Sequence, residues 1–273
     1  MTGVVNMKKF DVISMDNMKD WYTSSTDADY QLQDIISYLS RENKFHPSFK
    51  QINNDFFGVD NVYSNIQPCS PTHYGDPSGA HISEKDMDYL FDRLDGKEVR
   101  LIVEVGSFCG SSASFIANYL KDHNIPSIII CVDTWCGDIN MWLKGAFSTI
   151  MDKSDGQPKL FDNFISTIRR YGHDDVIIPL RVSSVVAARM IEVLKYKVDM
   201  VYLDSAHEAG ETFMELNLYY DLLRCGGVIF GDDYNIFPAV KKDVDLFSCF
   251  IGQNVVFCEN KDKNNPIWSF VKS

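Results

Sequence analysis

The chain has 273 residues and a formal net charge of −12, with 45% hydrophobic and 23% charged residues. This length suits one large α/β domain with an extension, and the composition is that of a globular protein with a sizeable core. The negative charge argues against nucleic acid as a partner, because non-specific affinity for nucleic acid depends on Lys and Arg.

The sequence also lacks signals for a membrane. The N-terminal segment MTGVVNMKKFDVISMDNM has no apolar run of the signal-peptide kind, and no stretch reaches the roughly eighteen apolar residues that cross a bilayer. The seven cysteines contain no Cys-x-x-Cys pair that would suggest a zinc or redox site. We therefore expect a cytoplasmic protein with no membrane partner.

Residues 1–95 are mostly polar and are predicted to form a cap or arm over the active site. An amphipathic patch covers Tyr30 to Leu39, and the run QPCSPTHYGDPSGAH predicts a loop. A helix is predicted to begin at Ser83, whose hydroxyl would cap it, with Asp86 three residues later in a weak capping box.

From about residue 100 onward, short β-branched runs alternate with longer amphipathic stretches, which is typical of βα units around a parallel sheet. The predicted strands are Arg100 to Val105, Ser127 to Val132, Asp175 to Leu180, Val198 to Leu203, Gly227 to Phe230, Asn254 to Cys258 and Asn265 to Val271. The predicted helices are Ser111 to Asp122, Pro158 to Tyr171, Val185 to Leu194, Glu211 to Arg224 and Pro238 to Phe250.

The last predicted strand follows its neighbour after only the turn KDKNN, which is too short for a parallel crossover. We therefore predict an α/β domain over residues 96–273, with a Rossmann-like doubly wound sheet that is mostly parallel and ends in an antiparallel hairpin. The stretch from Cys136 to Gln157 is too long for a plain connection and is predicted to be a lid or a substrate-binding insertion.

A glycine-containing turn follows the first predicted strand, in the run LIVEVGSFCGSS. Glycine lets the backbone approach a ligand closely, and the helix that follows offers free N–H groups. The spacing is not the dinucleotide fingerprint G-x-G-x-x-G. It resembles the first motif of class I S-adenosylmethionine-dependent methyltransferases, acidic-x-Gly-x-x-x-Gly, although a structural glycine turn is the alternative. The resemblance implies cofactor contacts from Glu104, Gly106, Ser107, Gly110 and Ser111.

The second predicted strand ends in CVDTW, which places Asp133 and Thr134 beside the glycine turn. A carboxylate at this point can accept hydrogen bonds from both ribose hydroxyls of an adenosyl group; the alternative is a helix N-cap or a solvated loop residue. After the third strand, Ser183 and Ser184 are predicted to lie near the adenine, although serine is also a routine N-cap.

Carboxylates end the fourth and fifth predicted strands: Asp204 on one, and Asp232 with Asp233 on the other. Neighbouring parallel strands bring these three groups into one crevice, where a cation such as Mg²⁺ would neutralise them. We predict a metal site from these residues, and we also count Asp204 among the cofactor-binding positions. His207 can reach the same crevice and is the predicted general base, with a structural histidine as the alternative.

The run VDMVYLDSAHEAGETFMELNLYYDLLRCGGVIFGDDYN resembles the macrocin-type sugar O-methyltransferases, over roughly residues 100–273. Asp204 and His207 match their Asp-x-x-His pattern, and the pair Asp232–Asp233 matches the acidic pair of the metal-dependent branch. Many relatives have glycine where Ser205 stands. The resemblance implies methyl transfer from S-adenosylmethionine to a hydroxyl of a sugar or glycan, with Mg²⁺ or another divalent cation holding two neighbouring hydroxyls and His207 removing the proton.

Other functions compete with this one. A catechol-type O-methyltransferase would share the metal and the cofactor but accept an aromatic diol, and Trp135, Trp142 and Phe147 could line its pocket. The missing glycine fingerprint disfavours a nicotinamide oxidoreductase, and the intact acidic and histidine residues disfavour a non-catalytic binding protein. We expect a small-molecule or glycan substrate and no nucleic-acid partner, and leave a homo-oligomer open.

Overall fold

The computed structural model describes residues 47–95, 98–143, 145–205, 207–258 and 264–273. The predicted amphipathic patch at Tyr30 to Leu39 therefore lies outside the described residues. Within the described ranges, no helix combines the length and the hydropathy needed to span a membrane.

The centre of the fold is a seven-stranded sheet in the order β3-β2-β1-β4-β5-β7-β6. The strands are β1 (Leu101–Val105), β2 (Ile128–Val132), β3 (Ile177–Leu180), β4 (Val198–Leu203), β5 (Leu223–Gly231), β6 (Val256–Phe257) and β7 (Trp268–Val271). The first five pair in parallel, and β7 runs antiparallel to both β5 and β6. This arrangement confirms the predicted Rossmann-like sheet with its C-terminal antiparallel hairpin.

Helices cover both faces of the sheet. They are α1 (Phe49–Phe57), α2 (Glu84–Arg93), α3 (Ser111–Asp122), α4 (Ile139–Leu143), α5 (Ser148–Met151), α6 (Leu160–Arg170), α7 (Ser184–Val193), α8 (Glu211–Leu222) and α9 (Pro238–Ile251). Side chains alternate along β1, so that Leu101 and Val103 join the core under α7, α8 and α9, whereas Ile102 joins the core under α2, α3 and α6. A parallel sheet buried on both faces explains the nearly continuous apolar runs in the sequence.

Two adjoining predicted boundaries were wrong, the end of a helix at Arg224 and the start of the next strand at Gly227. The helix expected to end at Arg224 ends at Leu222, and β5 begins at once with Leu223. Leu223 pairs with Val198 of β4, and the Arg224 Nε donates to the Asp199 carboxylate at 2.6 Å. These two long-range contacts draw the segment into the sheet, which a helical periodicity in the sequence cannot indicate.

The N-terminal part contacts the domain through a loop along α6. The Gly75 N–H donates to the Thr167 hydroxyl at 2.8 Å, and a Cβ on Gly75 would lie only 2.4 Å from the Cys109 carbonyl oxygen. At the end of this loop, the Asp86 carboxylate accepts from the backbone N–H of Ser83 at 2.8 Å, so the predicted capping box is present. The predicted division of the chain near residue 95 stays a prediction.

Candidate active site

The carboxyl ends of β1, β2, β4 and β5 open onto one cavity of about 810 Å³. Of the predicted site residues, its wall contains Gly106, Asp133, Thr134, Ser183, Ser184, Asp204, His207 and Asp233. A second, water-sized space of about 10 Å³ shares Asp204, His207 and Asp233 with this wall and adds Asp232. The predicted positions Glu104, Ser107, Gly110 and Ser111 are not among the described lining residues; Glu104 and Ser107 are buried behind the loop.

The glycine turn after β1 is shaped by a close approach of two backbones. Gly106 has φ of 93°, and a Cβ there would lie 1.9 Å from the carbonyl oxygen of Asp204. Its N–H donates to the Val132 carbonyl at 2.9 Å. Gly110 has φ of 84° and is the N-cap residue of α3. Only glycine meets both demands at position 106, which brings the ends of β1, β2 and β4 together.

Asp133 ties two loops of the cavity wall together. One carboxylate oxygen accepts from the Phe108 N–H at 2.9 Å and the other from the Trp135 N–H at 2.6 Å. Burial raises the pKa of Asp133, and these backbone hydrogen bonds oppose that shift. Each carboxylate oxygen has two lone pairs, so both keep one for a ligand hydroxyl.

Ser183 and Ser184, which were predicted to lie near the adenine, line the cavity. Ser183 is also a helix N-cap, the alternative considered from the sequence. Ser183 is the N-cap of α7, and its hydroxyl accepts from the Val186 N–H at 3.4 Å. Capping and a ligand contact are compatible, because a hydroxyl can accept and donate at the same time.

Three buried or half-buried carboxylates meet at the ends of β4 and β5. Burial raises the pKa of Asp204 well above its usual range, and the neighbouring carboxylates of Asp232 and Asp233 raise it further. Burial also raises the pKa of Asp232, whereas His81 lowers it. A divalent cation beside these carboxylates would lower both pKa values again.

The possible metal ligands form two overlapping groups. Ligand atoms of Asp204, His207 and Asp233 lie within 4.8 Å of one another, and so do those of His81, Asp232 and Asp233. The predicted set of three aspartates is therefore divided between two groups that share Asp233, each with one histidine. Carboxylate oxygens and imidazole nitrogens are suitable ligands for a divalent metal, so these residues fit such an ion.

His207 is held between a carboxylate and an aromatic ring. Its Nε2 lies 2.8 Å from Asp233 Oδ2, its Nδ1 lies 3.9 Å from Asp138 Oδ2, and the ring stacks on Phe237 at a centroid distance of 4.0 Å. Burial lowers the pKa of His207, but the hydrogen bond and charge of Asp233, together with Asp138, outweigh burial and leave the pKa raised. The arrangement fixes the ring at the cavity wall, where it can exchange a proton with a ligand.

Further acidic residues were missed in the sequence. Asp138, Glu208, Glu211 and Glu215 all line the cavity, and the Glu215 carboxylate accepts from the Ser205 hydroxyl. The spacing of Glu211 and Glu215, four residues apart at the start of a helix, would have indicated a shared face. Of the described residues in this wall, none is Lys or Arg.

The aromatic residues proposed for the pocket are placed differently. Trp135 is fully buried, packs on Phe164 and donates its indole N–H to the Phe108 carbonyl at 2.7 Å, so its proposed role in the pocket was wrong. Trp142 is 46% exposed and donates its indole N–H to the Cys136 carbonyl oxygen. It is not among the described residues of the cavity wall. Phe147 does line the cavity. A positive φ of 52° at Trp135 turns its side chain into the core, which no local pattern indicates.

The predicted lid forms part of the same wall. The stretch from Cys136 to Gln157 contains α4, a 3-10 turn at Gly145–Phe147 and α5. Met141 lines the cavity, whereas Met151 at the other end is fully buried. The Met151 carbonyl accepts from the Lys159 N–H at 2.6 Å, which ties this end of the segment to α6. Its mobility stays a prediction.

Comparison with protein families gives one match. Residues 103–234, just under half of the chain, match the family described as "Methyltransferase domain". The matched stretch includes the glycine turn, Asp133, Asp204, His207 and the Asp232–Asp233 pair. This part of the chain is therefore similar to methyltransferase domains, in agreement with the prediction.

Similar proteins were also found. "Uncharacterized protein R132" of Acanthamoeba polyphaga mimivirus is 26% identical over 149 residues, which are 52% of this chain and 58% of that protein. Among solved structures, the O-methyltransferase from Bacillus cereus in complex with SAH has a TM-score of 0.47 at 16% identity, covering 71% of this chain and 84% of its own. The O-methyltransferase NovP has a TM-score of 0.48 at 13% identity, covering 71% of this chain and 82% of its own.

Proposed function

We propose that this protein transfers a methyl group from S-adenosylmethionine to a hydroxyl of a sugar or glycan, with the assistance of a divalent metal. The observation that carries the proposal is the meeting of two groups of residues in one cavity. The glycine turn and Asp133 occupy one side, and Asp204, His207 and Asp233 occupy the other. A transferase for two substrates needs such a juxtaposition, since its main contribution is to orient the reacting groups.

The donor side offers groups suited to an adenosyl ligand. Gly106 lines the cavity on the turn after β1, and Asp133 keeps an acceptor lone pair on each carboxylate oxygen for ribose hydroxyls. Ser183 and Ser184 add hydroxyls on the next loop of the wall. The negative wall also favours a donor whose reacting centre is a sulfonium cation.

The acceptor side offers a base and a site for a cation. His207 faces the cavity and is oriented by Asp233, so it is placed to take the proton of an attacking hydroxyl. Asp233 would hold a divalent cation together with Asp232 or with Asp204, the carboxylates of the two ligand groups that it joins. When bound, such an ion supplies a Lewis acid that lowers the pKa of a coordinated hydroxyl.

The character of the wall favours a sugar over an aromatic diol. Carboxylates of Asp138, Glu208 and Glu211 can each accept hydrogen bonds from hydroxyls around a ring. The wall also contains Phe108, Phe147 and Phe237, whose rings can pack on the apolar face of a sugar ring. Because none of the described residues in this wall is Lys or Arg, the wall also disfavours acceptors that carry phosphate.

Methyl transfer from isotopically labelled S-adenosylmethionine, followed by mass spectrometry, tests the proposal. The acceptors should be a panel of neutral sugars and glycans, with catechols as the matched alternative class. We expect labelled product from the sugar panel and loss of product in excess EDTA. Product from catechols alone would replace the sugar by an aromatic diol, and full turnover in EDTA would remove the metal. Failure of S-adenosylhomocysteine to bind the folded protein in calorimetry would overturn the donor itself.

A further inference from the structure

We propose that His81 is a ligand of the cation site, together with Asp232 and Asp233, and that this site takes a transition-metal dication such as Mn²⁺ in preference to Mg²⁺. The inference deepens the proposed function, on which it rests, by adding a residue from the N-terminal part of the chain and by naming the class of metal.

The three side chains already have the spacing of a ligand set. His81 Nδ1 lies 3.3 Å from Asp232 Oδ2, and one ligand atom from each of His81, Asp232 and Asp233 lies within 4.8 Å of the others. Two ligand atoms bound to one ion at about 2.0–2.2 Å can be at most about 4.4 Å apart, so the 3.3 Å between His81 and Asp232 fits directly and the widest separation within the group would have to shorten. A small inward movement of the side chains would complete the coordination.

The buried carboxylate of Asp232 is an independent indication of a cation. The residue is only 2% exposed, and its Oδ1 accepts no hydrogen bond from any described residue. A buried carboxylate oxygen without a hydrogen bond is energetically unfavourable unless a positively charged group lies beside it. Its side chain also lines the water-sized space beside Asp204 and Asp233, whereas His81 approaches the same carboxylate from the larger cavity.

The loop that bears His81 is held in place on both sides. Before it, Thr72 and Gly75 donate backbone hydrogen bonds to side chains of α6. After it, Ile82 is buried in the core and Ser83 belongs to the capping box of α2. His81 itself is 67% exposed, so its ring contributes little to the core.

The presence of an imidazole decides the class of metal. Mg²⁺ prefers an all-oxygen shell and is reluctant to lose its waters, whereas an imidazole nitrogen suits first-row transition metals, and the two carboxylates of this set also suit Mn²⁺. With His81 as the nitrogen ligand, His207 does not need to bind the metal. It therefore stays available for proton transfer, the role that its position in the larger cavity supports.

Calorimetric titration of the full-length protein with MnCl₂ and with MgCl₂ tests the inference without relying on turnover. We expect Mn²⁺ to bind more tightly than Mg²⁺. His81→Ala should weaken Mn²⁺ binding by at least about tenfold, because replacing a residue that only orients a metal ligand already costs about that much affinity. The matched control is His73→Ala, which removes an exposed histidine from the same loop. It should bind Mn²⁺ like the unaltered protein.

The inference is overturned if His81→Ala and His73→Ala bind Mn²⁺ equally well, or if the unaltered protein binds Mg²⁺ as tightly as Mn²⁺. Titration of the same variants with S-adenosylhomocysteine separates this outcome from a failure of the proposed function. A protein that binds S-adenosylhomocysteine but loses no Mn²⁺ affinity in His81→Ala refutes only the histidine ligand. A protein that binds Mn²⁺ through His81 but not S-adenosylhomocysteine refutes the donor.

Discussion

Gly106→Ala is expected to destabilise the fold and to weaken donor binding together. The backbone at Gly106 has φ of 93°, and an added Cβ would lie 1.9 Å from the Asp204 carbonyl oxygen and 2.4 Å from its carbonyl carbon. Real Cβ atoms do not approach backbone so closely, so the turn after β1 would have to move away from the end of β4. That movement would displace the loop on which both substrates depend.

The magnitude has two parts. A side chain in the left-handed region costs roughly 1–2 kcal/mol, and overpacking against a part of the structure that cannot yield costs about 1–3 kcal/mol. The sum is about 2–5 kcal/mol, a large part of the roughly 5–15 kcal/mol that stabilises an ordinary domain. Gly210 provides the matched control, because its φ of 95° is nearly the same and nothing lies within 4 Å of its added Cβ.

Urea unfolding followed by circular dichroism measures both variants. Gly210→Ala should lose about 1–2 kcal/mol from backbone strain alone, and Gly106→Ala should lose more, by about the overpacking contribution. Calorimetry should then show weaker binding of S-adenosylhomocysteine to Gly106→Ala only. Equal destabilisation by the two substitutions would refute the argument that the close approach of β1 and β4 requires glycine.

Three further predictions follow from the site and the core. His207→Ala should lower turnover by about a hundred- to ten-thousand-fold, with part of the loss recovered as pH rises; near-normal steady-state turnover would remove His207 as the base. The stretch from Cys136 to Gln157 should gain amide protection in hydrogen exchange when S-adenosylhomocysteine binds, and equal exchange in both states would make it a fixed insertion. Burial, together with the charge of Lys121, lowers the pKa of His173 to about 4. The free energy of unfolding should therefore fall as pH drops from about 6.5 toward 4, by no more than about 3 kcal/mol. Urea unfolding of His173→Asn should lack this loss, and parallel pH dependences of the two proteins would contradict it.

Much of the fold could be predicted from the sequence because its signals are local. The buried strands appear as β-branched runs, and each of the seven observed strands overlaps one of the predicted runs. The helix α3 has the predicted bounds, since Gly110 in the left-handed conformation ends the turn and begins the helix at a defined residue. The carboxylates at the ends of β4 and β5 also follow from local reasoning, because parallel strands align their carboxyl ends.

The parts that could not be predicted depend on contacts between distant residues. The early start of β5 depends on Leu223 pairing with Val198. The burial of Trp135 depends on a space between Phe161 and Phe164 that exists only after α6 packs on the sheet. His81 lies in an irregular loop with no periodicity, and nothing in its neighbourhood along the chain relates it to Asp232.

The turn after β5 places its two aspartate side chains beside two different histidines. Asp232 follows directly after β5, and Asp233 takes a positive φ of 61°, a conformation that aspartate tolerates better than most residues. The two successive carboxylates therefore meet different partners: Asp232 lies beside His81 from the loop before α2, and Asp233 lies beside His207 from the loop after β4. Because Asp233 belongs to both ligand groups, a cation bound by either group would also act on the orientation of His207. In the proposed mechanism, a single carboxylate would therefore couple the binding of the cation to the position of the base.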